Sequence, residues 1–260
     1  MKSLIKPVAL VAIALLSLTI GYAKTPDNYC YVFKIYHYKT AEQETRLDKY
    51  LQNAYLPAMH RAGIASIGVF KPIEVDTADR LIYVFIPGRT QQVIEQAEKQ
   101  VIADGQYQTN ARDYTEATYL QAPYNRIEKI VLSAFPKMPQ PALPNLSSPK
   151  AERVYELRSY EGPTEAYFRR KVKMFNDGGE TVIFKRLGFN AVFYGEVVYG
   201  SHMPNLMYMT TFNNMDDRDQ HWKLFSADTE WKALSALPEY QHVVSKSTHY
   251  FIRPTDYSDI

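Results

Sequence analysis

Val32-Phe33-Lys34-Ile35-Tyr36-His37-Tyr38 and Val154-Tyr155-Glu156-Leu157-Arg158-Ser159-Tyr160 align without a gap, and that alignment decides how the rest of the chain is read. Both stretches are β-branched and aromatic, a composition that fits a pleated, half-buried surface. Gly63 stands 18 residues ahead of Leu81-Ile82-Tyr83-Val84, and Gly188 stands 18 ahead of Leu206-Met207-Tyr208-Met209. Matching order, spacing and element type point to one unit written twice, and missing such a repeat would misread the whole fold.

Each copy reads as strand, helix, two strands, helix, strand, the βαββαβ order of a ferredoxin-like α+β unit. In the first copy, residues 29–38 form the opening strand. Thr40 and Gln43 make a capping box for a helix whose apolar stripe is Leu47, Leu51, Ala54 and Ala58. Gly63 supplies a left-handed cap, and Pro57 kinks or shortens the last turns. Strands follow over residues 64–75 and 81–86. Thr90 then caps a helix carrying Ile94, Ala97 and Val101, and residues 126–135 close the unit. The second copy repeats this pattern over residues 154–160, a helix from Thr164 broken at Gly178-Gly179, strands at 189–199 and 206–212, a helical region, and a strand at 243–253. Trp222 and Trp231 are half a turn out of phase on one continuous helix. Ser226-Ala227-Asp228 therefore predicts a break and a fresh N-cap that turns Trp231 toward the core.

Lys2 and Lys6 precede an apolar run over residues 8–20, which ends at Gly21-Tyr22-Ala23. These are the basic, apolar and small-residue parts of a secretory signal peptide, cut after Ala23. The run is shorter than the roughly 20 residues of a membrane-spanning helix, so no stable membrane insertion is expected after cleavage. The predicted organisation is a signal over residues 1–23, one domain over 24–135, a proline-rich linker over 136–152 and a second domain over 153–260, in a secreted or periplasmic protein. The linker carries a glycosylation sequon, Asn145-Leu146-Ser147, relevant in a eukaryotic source.

The chain has 30 basic and 28 acidic residues. Two of the basic ones, Lys2 and Lys6, leave with the signal, so the mature chain is neutral. Such a surface lacks the basic footprint that nucleic-acid binding requires. Cys30 is the only cysteine, which excludes an internal disulfide, and its place at a strand start predicts burial. The histidines, His37, His60, His202, His221, His242 and His249, have no zinc-helix spacing, so no metal site is expected. No phosphate loop and no Gly-x-Ser-x-Gly elbow occurs.

Tyr155-Glu156-Leu157-Arg158-Ser159-Tyr160 resembles the opening strand of NIPSNAP domains. Arg218-Asp219-x-x-Trp222-x-x-Phe225-x-x-Asp228-x-x-Trp231-Lys232, followed by Pro238-Glu239-Tyr240 and the tail Pro254-Thr255-Asp256-Tyr257-Ser258, is similar to the family's later signature. The resemblance covers roughly residues 153–258; the first copy lacks the Arg-Asp-x-x-Trp pattern. It implies a dimeric α/β-barrel arrangement, which the two copies could complete within one chain. It also implies interaction and trafficking roles without defined catalytic residues; no cofactor is expected. The export signal is a departure from organelle-based roles.

Alternation divides each opening strand into two faces. Phe33 and Ile35, or Tyr155 and Leu157, are expected under helices. Lys34, Tyr36, Tyr38, Glu156, Arg158 and Tyr160 are expected inside the barrel, where they would form a polar ligand pocket with Arg158 as the fork-shaped donor. The alternative is that Lys34 and Glu156 pair across the seam between copies and Arg158 completes a structural network. Expected partners are a small anionic or hydroxylated ligand, a protein, or a second copy of the chain. Two function classes stay open: an exported binding or interaction module, and a small enzyme such as a cofactor-free monooxygenase, an isomerase or a heme protein. A heme would need His37 or His249 facing a wide cavity.

Overall fold

The β-branched and aromatic runs become strands. In the computed structural model, which describes residues 28–260, they are β1 Cys30–Tyr38, β2 Gly68–Pro72, β3 Arg80–Gly88, β4 Arg126–Ala134, β5 Val154–Glu161, β6 Asn190–Tyr199, β7 Asn205–Phe212 and β8 Lys246–Pro254. The expected leader and its cleavage point at Ala23 lie outside the described residues. All neighbouring strands are antiparallel, and the order β1-β3-β2-β8-β5-β7-β6-β4 closes into a barrel. Closure takes two seams. Phe70 to Pro72 of β2 pair with Ile252 to Pro254 of β8, and Leu132 to Ala134 of β4 pair with Gly195 to Val197 of β6. Each seam hides a sheet edge that would otherwise expose unpaired backbone groups.

Helices cover the outside. The first begins at the expected capping box and runs as α1 Ala41–Tyr50. Pro57 neither ends nor shortens it. A proline lacks the N–H and crowds the carbonyl four residues back, and the chain answers with a wider π turn over Leu51–Tyr55 before continuing as α2 Leu56–Arg61. Gly63 then takes φ +93°. After β3 come α3 Gln91–Ala103, α4 Gly105–Asn110 and α5 Arg112–Thr115. Over the other half lie α6 Glu165–Asn176, α7 Glu180–Arg186, α8 Met215–Ala227 and α9 Thr229–Ser235. Gly179, at φ +85°, makes the break before α7. Asp228 makes the expected break between α8 and α9, its side chain accepting from the Trp231 backbone N–H at 3.0 Å. No described helix is long and apolar enough to cross a membrane.

The strand expected over residues 64–75 is shorter, Gly68–Pro72, and the C-terminal tail bonds along its start. The Ile67 N–H donates to the Asp259 carboxylate, the Val69 N–H to the Ser258 hydroxyl, and the Val69 carbonyl accepts from Thr255. Cys30 is buried as expected, and burial pushes its thiol up to about 11.

The two faces of the opening strands are reversed from expectation. Tyr31, Phe33, Ile35, Phe70, Phe85, Tyr155, Leu157 and Phe193 fill the barrel. Lys34, Tyr36, Tyr38, Glu156, Arg158 and Tyr160 point the other way, into the helix layer. The interior of an eight-stranded barrel is just wide enough for side chains to fill it. Here aromatic rings do so, with Phe85 and Phe193 stacked at 5.0 Å and Phe33 and Phe85 at 5.1 Å. The charged side chains go where helices can supply partners.

Phe193 is fully buried and touches Tyr31, Phe33 and Phe85 from the opposite half. Phe193→Ala is therefore expected to cost about 3–5 kcal/mol, read from urea unfolding. A loss below about 1 kcal/mol would contradict a barrel core shared by both halves.

Candidate functional site

Three strands of the C-terminal half present one outward row. Arg158 on β5 pairs in register with Tyr208 on β7 and His249 on β8, and Tyr160 pairs with Ser247. Residues directly opposite in antiparallel strands share a face, so these side chains form one floor. Above it stand Lys171 from α6, Glu180 and Phe184 from α7, Arg218, Trp222 and Phe225 from α8, and Trp231 from α9. They enclose an open cleft of about 540 Å3.

Glu156 anchors this layer. Its side chain is fully buried, and a buried carboxylate is tolerated only when paired and hydrogen-bonded. Arg158 donates from Nε to Oε1 at 2.7 Å, and one of its terminal nitrogens stands 2.7 Å from the same oxygen as an ion pair. Arg218 donates from Nε to Oε2 and from a terminal nitrogen to Oε1, both at 2.9 Å. Trp222 Nε1 donates to Oε2 at 2.7 Å. Burial alone would raise the Glu156 carboxyl, but the bonds and charges of Arg218 and Arg158 outweigh it and hold it below the usual range. Trp222 serves twice, since the Arg158 guanidinium also lies 3.5 Å from its ring centre. From Arg158 the chain of bonds continues to the Tyr160 hydroxyl at 2.9 Å and on to the Tyr208 hydroxyl at 2.9 Å.

A second ion pair borders the cleft. Lys171 Nζ donates to Glu180 at 2.8 Å, both side chains being buried, and lies 4.7 Å from the Phe175 ring centre. Here burial wins over Lys171 and Arg158, and the Glu180 carboxyl is raised. The two carboxylates thus respond to pH in opposite senses. The depressed Glu156 contributes stability above the ordinary value near 4.3 that is lost as pH falls through its folded value. The raised Glu180 contributes stability that is full below that ordinary value and is lost as pH rises through its folded one. With three cations (Arg158, Arg218, Lys171) against two anions (Glu156, Glu180), the cleft walls carry one surplus positive charge before rim groups such as Asp219 are counted.

The six residues singled out from sequence separate by half. Glu156, Arg158 and Tyr160 come together on this floor. Lys34, Tyr36 and Tyr38 take the matching positions under the N-terminal helices and line no comparable cleft. Lys34 does not meet Glu156 across a seam; it pairs with Glu98 and donates to the Tyr55 hydroxyl at 2.9 Å. Tyr36 and Tyr38 are buried in the core beneath α1 to α4, where Tyr50 and Tyr114 stack at 3.6 Å. Where one half places the Arg158 fork, the other places the Tyr36 ring and closes the space. His249 stays outside the barrel beside Arg158. Lys171 and Glu180 were not foreseen. The available signal was a lysine within the helical stripe Phe168, Lys171, Phe175, a position that ordinarily takes an apolar residue.

The profile of the NIPSNAP family matches residues 155–259. The C-terminal part of the chain is a NIPSNAP domain. The Glu156 network and the cleft lie wholly within it. No curated protein matches the chain in sequence. Among solved structures, a candidate monooxygenase from Fusobacterium nucleatum is similar with a TM-score of 0.55 at 7% identity, over 86% of this chain and 92% of that one. A candidate monooxygenase from Lactobacillus acidophilus gives 0.52 at 15% identity, over 86% and 93%. An anthrone oxidase-like protein gives 0.51 at 12% identity, over 89% and 93%. These likenesses establish a shared fold spanning both halves.

Glu156→Gln removes the charge that two arginines share and leaves both guanidiniums facing a neutral amide. A loss of roughly 3–5 kcal/mol is expected from breaking such a buried network, together with a flatter loss of stability below pH 4.5 than in the unaltered protein. Unchanged unfolding would show that the network is not structural.

Proposed function

We propose that this protein is a ligand-binding module whose site is the outer cleft of the NIPSNAP domain, and that its ligand is a small anion with a planar apolar body. The observation that carries this reading is the placement of Arg158. Glu156 and Trp222 fix its guanidinium, yet three of its five N–H groups remain beyond its hydrogen bonds to Glu156 and Tyr160. A fixed planar donor beside Lys171, the Tyr160 hydroxyl and the rings of Phe184, Phe225 and Trp231 suits a carboxylate on an aromatic frame. The same reading includes export after cleavage near Ala23, and descent of the two halves from one duplicated βαββαβ unit. In it the second half kept an open cleft and the first closed its equivalent with tyrosines. A second copy of the chain is not needed to complete the barrel.

A small enzyme working in the same cleft is the second reading, favoured by Glu180. A buried carboxyl with a raised affinity for protons, bonded to Lys171 and bordering a ligand-sized space, can exchange a proton with a bound substrate. The fold shared with candidate monooxygenases fits a cofactor-free oxygenase or an isomerase. A heme inside the barrel is part of neither reading, because the aromatic rings occupy its interior.

Trp222 and Trp231 are the only tryptophans in the sequence, and both border the cleft. Titration with 2-naphthoate should therefore give a saturable change in tryptophan fluorescence. Arg158→Lys keeps the charge but loses the fork, and should weaken binding at least tenfold while lowering stability by about 1–3 kcal/mol through its lost bond to buried Glu156. No saturable change with 2-naphthoate, benzoate or salicylate would sink the anion-site reading. Lost stability without any binding would leave Arg158 a purely structural residue.

A further inference from the structure

We infer that the free edge of β8 is a docking site for an extended, basic segment of a partner protein, which adds to the sheet as one more antiparallel strand. The β2–β3 hairpin covers only the last part of β8. Phe70, Lys71 and Pro72 pair with Pro254, Arg253 and Ile252, and the final bond runs from the Ile73 N–H to the Phe251 carbonyl at 2.9 Å. β2 stops at Pro72, and the chain turns away through residues 73–79 to begin β3. β8 runs on to Lys246, still paired on its other side with β5. Backbone groups alternate in direction along an antiparallel strand. The N–H and C=O of His249 and Ser247 therefore point the same way as the Phe251 carbonyl, away from β5. Among the described residues no backbone group meets them there. Both residues are exposed, so this edge is open to another strand where the seams are not.

The space beside this edge selects the chemistry of its occupant. A cleft of about 230 Å3 separates β8 from the tip of the hairpin. The Tyr83 and Tyr250 rings, 6.0 Å apart, border it and offer a seat for one β-branched side chain of the incoming strand. Its rim carries three carboxylates, Glu74, Asp76 and Asp79. Asp79 is bonded to His37 at 2.9 Å, whereas Asp76 accepts only from the Ala78 N–H of its own loop, at 2.8 Å. Neither Glu74 nor Asp76 joins an ion pair among the described residues. Unmatched negative charge beside an open strand edge favours lysine or arginine in the strand that docks. In sheet addition the main-chain bonds give affinity, and alternate side chains give specificity. A second copy of this chain fits less well, because the lysine at the end of its own β8, Lys246, is already paired with Glu161 at 3.3 Å.

The probe is the peptide acetyl-Lys-Thr-Val-Thr-Val-Lys-amide, titrated into the full protein labelled with 15N. The backbone amide resonances of Ser247 and His249 should shift in a saturable way, and their hydrogen exchange should slow at least tenfold at saturation. Methylating the threonine nitrogens removes the donors that meet the β8 carbonyls and should weaken binding at least tenfold. Glutamate in place of the peptide's lysines should do the same. On the protein side, Glu74→Lys combined with Asp76→Lys should lower affinity for the lysine peptide at least tenfold; both positions are exposed in a loop, so the fold is kept. Unmoved Ser247 and His249 amides at millimolar peptide, or equal affinity for the methylated or the glutamate peptide, would overturn the assignment. So would protection of the same two amides, without peptide, in a dimer that forms as protein concentration rises, since a second copy would then be the occupant.

Discussion

The Glu156 carboxylate, sealed between β5 and α8, is the constraint on which the C-terminal half is arranged. An unpaired ion in that position would cost several kcal/mol. It is held by four N–H bonds from Arg158, Arg218 and Trp222, and each donor is thereby fixed in turn. Arg218 and Trp222 draw α8 onto the sheet. Arg158 is pressed flat against Trp222, which aims what remains of its fork along the cleft toward Tyr160 and Lys171. The site is therefore rigid before any ligand arrives, the condition under which little affinity is spent on ordering side chains.

The halves of the barrel illustrate how one topology can be closed or open. In both, the outward face of the central strand lies under helices. In the N-terminal half Tyr36, Tyr50, Tyr107 and Tyr114 fill that layer, with the Tyr50 and Tyr107 hydroxyls 3.2 Å apart. In the C-terminal half charges take part of the same volume, and charges need partners and geometry rather than close packing. The cleft is the space left by that requirement. Chemistry is thus confined to one half of the outer layer, while the interior is given over to packing.

Much of this was legible in the sequence, and what was not has a physical cause. The capping box at Thr40, the cap at Asp228 and the break at Gly179 are local signals, and local geometry honoured them. Arg158 was singled out because the position aligned with it in the first half, Tyr36, carries no such fork. Its direction was misread, since alternation separates two faces but does not say which faces the barrel, and here both faces carry large aromatic residues. Charge suggested that the polar face pointed to a pocket inside. Volume decided otherwise, because the rings of Tyr31, Phe33, Tyr155 and Phe193 fill the barrel. Two of the partners of Glu156, Arg218 and Trp222, lie 62 and 66 residues further along the chain, and the Arg218-Asp219-x-x-Trp222 signature marked them without revealing what they bind. Lys171 and Glu180 carried only the weak sign of a lysine in an apolar stripe.

The account rests on two buried carboxylates held in opposite protonation tendencies around one cleft. The most direct measurement is a carboxyl-carbon NMR titration of protein labelled with 13C at the glutamate side chains, assigned with Glu156→Gln and Glu180→Gln. The expected result is that Glu156 titrates below the ordinary glutamate value of about 4.3 and Glu180 above it. Both groups titrating together near that value would contradict the buried network, and with it the geometry from which the cleft's function is drawn.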